Sequence, residues 1–262
     1  MKHVSILPRA LRAAGSGVLG ACEQTGGVTV LFGRVARALA PPAIDGRALL
    51  RNLYRMGNRS VPIIALTAFF TGGIMVIQAG IFVRRYGATG LLGWGTGYAT
   101  LRELGPMLIA LMFSGRVGAN NTAELATMQV TDQIDGLRAL AIDPIRFLIA
   151  PRIVSMVAML FLLTIIGDIV AMLGAALFAN LLLDISTSTF YYSFADNLHI
   201  ADLMHGLVKS VSFGFAIAIT SCHFGISVKG GAVGVGRAVN AAVVSAAIAI
   251  VLLDFLLTFL LG

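Results

Sequence analysis

Charged residues are scarce in this 262-residue chain. They make up 12% of it, whereas a soluble globular domain carries about 25%, so there is too little charge to cover a water-facing surface. Mean hydropathy is +0.90 and 58% of the residues are hydrophobic. The shortage of charge excludes a soluble enzyme domain. It predicts an all-α integral membrane protein, because helices satisfy their own backbone hydrogen bonds in lipid.

Cysteines and nucleotide-binding motifs are also few or missing. The two cysteines, Cys22 and Cys222, have no metal or redox spacing and are interpreted as small apolar fillers. No G-x-x-x-x-G-K-[ST] motif occurs, so the chain cannot cradle nucleotide phosphates by that route. We therefore expect no enzymatic activity and no cofactor in this chain, and we assign any ATP hydrolysis to another subunit.

Long apolar runs, in contrast, are plentiful. About 20 apolar residues are enough to cross a bilayer. Five runs meet this requirement: residues 60–83, 86–115, 144–183, 203–228 and 232–262. The second contains Arg102-Glu103 and a glycine-rich start, GLLGWGTG, which predicts a broken, short or re-entrant helix. The sequence predicts about five transmembrane helices with the second one broken.

The basic residues are distributed unevenly between the two sides of the predicted spans. Nine of the 19 Lys and Arg residues lie in residues 1–59, and most of the others fall on the same side. By the positive-inside rule this predicts a multi-pass protein with a cytoplasmic N-terminus. The segment at about 184–202 has three Asp and no Lys or Arg, as expected of an external loop. Arg84-Arg85 is the one pair that disagrees.

Residues 1–59 are predicted to be a separate N-terminal amphipathic region, and residues 60–262 the transmembrane domain. Four arginines recur every four residues, a stripe that drifts by about 40° per step on a helix: Arg47, Arg51, Arg55 and Arg59. Apolar residues such as Leu50 and Tyr54 fall beside the stripe. This pattern is typical of a helix lying in the membrane interface. The alternative is a soluble basic lead-in.

Between the second and third spans lies a polar segment, residues 116–146. Asn121 followed by Glu124 resembles a capping box. Leu125 and Met128 form an apolar edge, and the helix is expected to end near Gly136. The pattern predicts a short amphipathic helix at about 118–140, parallel to the membrane. It could dock a cytoplasmic partner or simply return the chain to the bilayer.

Several charges fall inside the apolar runs, where each costs about 2.5–3.5 kcal/mol on the insertion scale. They are Arg102, Glu103, Asp168, Lys209 and Asp254. Lys209 and Asp254 have opposite signs and similar depth, so they could form a pair. These charges are either structural ion pairs or the lining of a cavity for lipid headgroups, with Arg102 and Glu103 the best candidates for lining.

Other patterns carry weaker signals. Small residues every four positions in two spans, such as Gly167 and Ala171 or Gly206 and Ser210, predict close helix packing, within the chain or with another copy.

Asp196, His199, Asp202 and His205 are spaced three apart, which could form a metal site but is better explained by a solvated helix face. The basic residues form no aromatic-interleaved face, so no nucleic acid is expected.

Two long motifs resemble a known family. Residues 103–152, ELGPMLIALMFSGRVGANNTAELATMQVTDQIDGLRALAIDPIRFLIAPR, are similar to the signature of MlaE-type permeases, the membrane subunits of Mla phospholipid ABC transporters. Residues 222–246, CHFGISVKGGAVGVGRAVNAAVVSA, resemble that family's second signature. The resemblance covers about residues 45–262.

The resemblance implies a homodimeric permease in the bacterial inner membrane that moves phospholipid and contributes to outer-membrane lipid asymmetry. Its partners would be a cytoplasmic ABC ATPase that uses ATP, a STAS-like accessory protein and a periplasmic MCE-domain ring. A lipid cavity would lie near four charged residues: Arg102, Glu103, Lys209 and Asp254. The segment at about 118–140 would couple to the ATPase, with these candidate contacts: Glu124, Leu125, Thr127, Met128, Thr131, Asp132 and Ile134.

Two other functions remain open from the sequence. An ion-gradient-driven secondary transporter of an amphiphile could use Asp168 or Glu103 as a proton carrier, although no inverted repeat is detectable. A non-transporting membrane scaffold is the third possibility, and it leaves the charges within the spans unexplained.

Overall fold

The computed structural model describes residues 22, 26–38 and 46–261, and every regular element in these residues is helical. The predicted all-α fold is confirmed. Predictions that concern residues 1–21, 23–25, 39–45 and 262 lie outside the described residues. The described helices are α1 (26–38), α2 (Gly46–Gly57), α3 (Val61–Tyr86), α4 (Leu92–Ala99), α5 (Gly105–Phe113), α6 (Ala119–Val130), α7 (Gln133–Ala139), α8 (Ala150–Leu183), α9 (Thr187–Asn197), α10 (Ile200–Ile226) and α11 (Gly231–Leu261).

In the described part of the chain, four helices are long and apolar enough to span a membrane: Val61–Val83 within α3, Ile145–Leu183, Ile200–Ile226 and Gly231–Leu261. A further predicted crossing is composite, because α4, α5 and α6 follow one another through π-helical turns at Thr100–Leu104 and Ser114–Gly118. With this composite helix the described residues form about five crossings, as predicted. In chain order we call them the first (α3), second (α4–α5), third (α8), fourth (α10) and fifth (α11) crossings.

The predicted break in the second crossing takes the form of a π-helical turn, and the helix continues through it. Pro106 lies in the first turn of α5, directly after Thr100–Leu104. A proline inside a helix lacks an N–H and its ring clashes with the carbonyl four residues earlier. Widening of the preceding turn relieves that clash. The same arrangement recurs where the π turn Ile145–Ile149 precedes Pro151 in α8.

Small residues bring the crossings close together within the chain. A Cβ added to Gly72 of α3 would lie 2.0 Å from the carbonyl oxygen of Ala171 in α8. A Cβ on Gly206 of α10 would lie 2.1 Å from the carbonyl oxygen of Leu101. The predicted close packing along α8 and α10 is confirmed, and these contacts join helices of the same chain.

The bundle has two ends, which we name by their short helices. At the α6 end lie α2, α6, α7 and the connection between α10 and α11. At the α9 end lies α9, which occupies much of the predicted external segment 184–202. Gly93 allows α4 to approach α9, since a Cβ there would lie 2.0 Å from the carbonyl oxygen of Phe190. Of the four glycines that suggested a broken helix, Gly93 and Gly97 therefore serve close packing against α9.

Candidate functional site

A group of charged side chains joins the second, fourth and fifth crossings. The ammonium of Lys209 in α10 contacts the carboxylate of Glu103 on the π turn. Its Nζ lies 3.0 Å from Asp254 Oδ1, an ion pair outside hydrogen-bond geometry, and donates a 2.8 Å hydrogen bond to Thr258 Oγ1. The pair of Lys209 and Asp254, which the sequence left as one possibility, is present in the structure.

Lys209 is the buried centre of this group. Its side chain is 1% exposed, whereas those of Glu103 and Asp254 are 30% and 19% exposed. Lys209 lies nine residues from the start of α10, about 14 Å along a helix, and hence deep within the apolar region. A lysine in such a place is stable only when paired, and here it is held between two carboxylates.

Arg102 extends the group toward the α9 end. Its Nη1 lies 3.2 Å from Asp202 Oδ1, and its guanidinium carbon lies 5.2 Å from the centre of the Tyr98 ring. Asp202 also accepts a hydrogen bond from the backbone N–H of His199 and so caps α10. We call Arg102, Glu103, Asp202, Lys209, Asp254 and Thr258 the charged cluster.

Asp202 and Thr258 belong to the charged cluster, although the sequence does not predict either of them there. The sequence places Asp202 with His199 and His205 on a solvated helix face. The sequence feature that could have assigned Asp202 to the cluster is its position seven residues, or two helical turns, before Lys209. This spacing places both side chains on the same face of α10. No group of three potential metal-ligating residues was found in the described part of the chain, and Asp202 is engaged by Arg102.

An apolar groove opens beside the charged cluster at the α9 end. It has a volume of about 390 Å³ and is lined by residues of the second to fourth crossings and α9. Leu101 lines the groove, and the next residue, Arg102, belongs to the charged cluster. An apolar groove that adjoins a set of charges can hold an amphiphile, with its chain in the groove and its polar head at the charges.

Asp168 of α8 also lines this groove. It is 4% exposed, and neither carboxyl oxygen has a hydrogen-bond partner in the described part of the chain. The oxygen Oδ1 fits against Gly105, where an added Cβ would lie 2.9 Å from it. Asp168 thus differs from Glu103, whose carboxylate is bound by Lys209.

At the α6 end, Asn121 fixes α6 to two crossings. Its side-chain amide donates a 2.9 Å hydrogen bond to Ser221 Oγ of α10, and its Oδ1 accepts one of 2.9 Å from Arg152 Nη1 of α8. Asn121 is buried. The prediction that Asn121 begins the helix as a cap is wrong, because the backbone is already helical through Ser114–Gly118 and leaves no free N–H group there.

Glu124 binds arginines from two other helices. Its carboxylate contacts Arg55 of α2 and lies 3.2 Å from Arg152 Nη1 of α8. This carboxylate therefore attaches α2 to the transmembrane bundle. Helix α2 carries the exposed apolar residues Leu50 and Tyr54 together with Arg51 and Arg55. Exposed apolar residues combined with arginines are typical of a helix that lies in the membrane interface.

The segment predicted as one helix at about 118–140 consists of α6 and α7. The two helices meet at Asp132, which has a left-handed φ of 58°. We call the two together the α6–α7 segment. Leu125 and Ile134 are 0% and 1% exposed and pack within the chain, so they offer no surface to a partner. The exposed candidates are Thr127, Thr131 and Asp132, with Glu124 and Met128 half-buried.

The helical bundle and its long apolar crossings define a multi-pass membrane protein. The model of the family described as "Permease MlaE" matches residues 49–260. The chain belongs to this family of ABC transporter permeases.

Named relatives agree with the family assignment. A probable ABC transporter permease protein of Rickettsia typhi is 36% identical over 91% of this chain and 92% of its own length. A probable ABC transporter permease protein of Synechocystis is 36% identical over 88% of each chain. The chloroplastic protein Trigalactosyldiacylglycerol 1 of Arabidopsis thaliana is 35% identical over 88% of this chain and 66% of its own length.

Proposed function

We propose that this chain is the membrane subunit of an ABC transporter that moves phospholipid between a bacterial inner membrane and a periplasmic MCE-domain carrier. The transport would contribute to outer-membrane lipid asymmetry. The observation that carries the proposal is the α6–α7 segment, which is anchored to α8 and α10 through Asn121 and still exposes Thr127, Thr131 and Asp132. A rigid, exposed segment between two crossings suits transmission of a partner's movement.

The anchoring determines what such a movement would do. Arg152 of α8 and Ser221 of α10 both bind Asn121, so a push on α6 reaches the third and fourth crossings together. The fourth crossing carries Lys209 of the charged cluster, which also holds the second and fifth crossings. Closure of a bound ATPase would therefore reshape the groove at the α9 end. ATP hydrolysis belongs to that partner.

The substrate proposal rests on the groove and the charged cluster. An apolar groove beside partly exposed Glu103 suits a molecule with acyl chains and a polar head. The name of the Arabidopsis relative refers to a glycolipid, which is consistent with a lipid substrate. In this scheme the partly exposed Glu103, beside Arg102, meets the headgroup. Lys209 is 1% exposed and offers no surface to a lipid, so it and Asp254 act by holding Glu103 in place.

The orientation and assembly follow from charge and from the family resemblance. We place the N-terminus and the α6 end in the cytoplasm because the basic residues gather there, and the α9 end in the periplasm. A homodimer would complete the lipid cavity. The outward face of α11 exposes a long row of apolar side chains, among them Val251, Phe255 and Phe259, available to lipid or a second copy. A STAS-like accessory protein would join the ATPase.

Purification from native membranes tests the proposal. We expect the tagged chain to retain an ABC ATPase, an MCE-domain protein and phospholipid, identified by mass spectrometry. Thr131→Trp places a bulky group on the exposed edge of the α6–α7 segment and should lower the ATPase rate of the complex. The matched control is Thr187→Trp, at an exposed position of α9, which should leave that rate unchanged.

Two results would overturn the proposal. The first is a chain that purifies without an ATPase under conditions that preserve the membrane. The second is lipid movement that follows a proton gradient and continues without ATP, which is the behaviour of a secondary transporter.

A further inference from the structure

A polar cavity lies at the α6 end, at the opposite end of the bundle from the charged cluster. It has a volume of about 320 Å³, within the range of small-molecule sites, roughly 300–1,000 Å³. It is bounded by α2, the start of α3, the π turn Ser114–Gly118, α6 and α8. Four arginines line it: Arg55, Arg59, Arg116 and Arg152. We call it the arginine cavity.

The charges in the arginine cavity do not cancel. Glu124 is the one carboxylate among its described lining residues, and it already binds Arg55 and Arg152. Arg59 and Arg116 have no ion pair with any described residue. Four guanidinium groups against one carboxylate leave a net charge of +3 that an anion would balance.

The position of the arginines matches the level of lipid phosphates. Arg59 lies two residues before α3 begins and Arg116 three residues after α5 ends, whereas Arg152 lies seven residues into the crossing Ile145–Leu183. At about 1.5 Å per residue, Arg59 and Arg116 lie within one helical turn of the ends of apolar crossings. The cavity is therefore at the boundary between hydrocarbon and water.

We propose that the arginine cavity binds the phosphate of an anionic phospholipid from the leaflet at the α6 end. Guanidinium groups bind phosphate oxygens in a bidentate manner. Basic pockets between transmembrane helices are sites for anionic lipid headgroups. A lipid with net negative charge fits the surplus of +3 better than a zwitterionic lipid, whose amine would meet the same guanidinium groups.

The arginine cavity adjoins the surface proposed for the ATPase, because Glu124 lines the cavity and is also a coupling candidate. The exposed Thr131 lies seven residues beyond Glu124, about 10 Å on a helix. Met56 and Val117 form an apolar part of the cavity wall. The lipid site would hold α2 against α6 and α8. The proposed binding of an anionic lipid in the arginine cavity does not depend on which molecule the protein transports.

Lipid binding by the full-length purified chain tests this inference. The probe is phosphatidylglycerol added to delipidated protein in detergent, with phosphatidylcholine as the zwitterionic comparison, and binding is counted by native mass spectrometry. We expect Arg59→Gln with Arg116→Gln to lower the affinity for phosphatidylglycerol by about tenfold or more, because each basic residue at a membrane surface contributes substantially to anionic lipid binding. Arg59 and Arg116 are suited to this test because neither forms an ion pair with another described residue.

The matched control removes two arginines outside the cavity. Arg51→Gln with Arg146→Gln changes the net charge equally at exposed positions of the same end, and we expect it to retain phosphatidylglycerol binding. Equal loss in both double variants, or equal binding of phosphatidylcholine by the unaltered chain, would overturn the proposal. Displacement of phosphatidylglycerol by millimolar inorganic phosphate would show a site for free phosphate and would overturn the lipid assignment.

Discussion

Lys209 offers the sharpest test of how the crossings are held together. Replacement by Met removes the ammonium and leaves Glu103 and Asp254 as neighbouring carboxylates without a cation between them. Removing one partner of a buried ion pair costs about 3–5 kcal/mol. Lys209 is 1% exposed, but Glu103 is 30% exposed and keeps some contact with solvent. We therefore expect Lys209→Met to lower the free energy of unfolding by about 3 kcal/mol.

The assay is reversible unfolding of the purified chain in mixed micelles, followed by circular dichroism. Lys229→Met is the matched control, since Lys229 is exposed, and we expect a change within about 0.5 kcal/mol. The triple variant Lys209→Met, Glu103→Gln and Asp254→Asn removes all three charges. It should recover stability to within about 1 kcal/mol, because buried ion pairs can often be replaced as a set without loss.

Two outcomes would refute this reasoning. One is a Lys209→Met variant as stable as the unaltered chain, which would mean that the lysine is not buried between the carboxylates. The other is a triple variant as unstable as the single one, which would mean that the charges do not act on each other. A stable triple variant that no longer moves lipid would separate a role in transport from a role in folding.

Three further variants probe other parts of the molecule. Gly72→Ala should destabilise the chain by about 1–3 kcal/mol in the same unfolding assay, because its Cβ would clash with the Ala171 carbonyl; unchanged stability would contradict the close packing of α3 on α8. Asp168→Asn should preserve both stability and ATP-dependent lipid movement, since no described hydrogen bond is lost; abolished transport would favour a proton carrier. Asn121→Leu should uncouple ATP hydrolysis from lipid movement, because it removes the hydrogen bond from Asn121 to Ser221. The measurement compares the rates of ATP hydrolysis and lipid movement in reconstituted vesicles, and rates that remain tightly coupled would contradict the anchoring role of Asn121.

The five crossings could be predicted because hydropathy is a local property. Each run of about 20 apolar residues must be helical in lipid, whatever its neighbours are. The pairing of Lys209 with Asp254 could also be predicted from opposite signs at similar depth. Asp202 was missed because its place beside Arg102 depends on α10 beginning at Ile200, before Asp202. The start of a helix is set by capping contacts more than by hydropathy.

The α6–α7 segment shows what a single sequence leaves undetermined. Leu125 and Met128 form an apolar edge that fits a partner or the chain's own bundle equally well. In the structure Leu125 is buried in the bundle and Met128 is half-buried. Asn121 looked like a helix cap because the polar segment suggested a helix start. The π turn keeps the helix continuous from the second crossing, so Asn121 binds Ser221 and Arg152 instead.

The most direct test of the proposed function is photo-crosslinking at the α6–α7 segment in living cells. A photoreactive phenylalanine analogue at Thr131 reports which protein contacts that exposed position, and the same analogue at Thr187 reports on the α9 end. We expect Thr131 to yield an adduct with the nucleotide-hydrolysing subunit and Thr187 to yield none with it. An adduct between Thr131 and a periplasmic protein would contradict both the orientation and the coupling role.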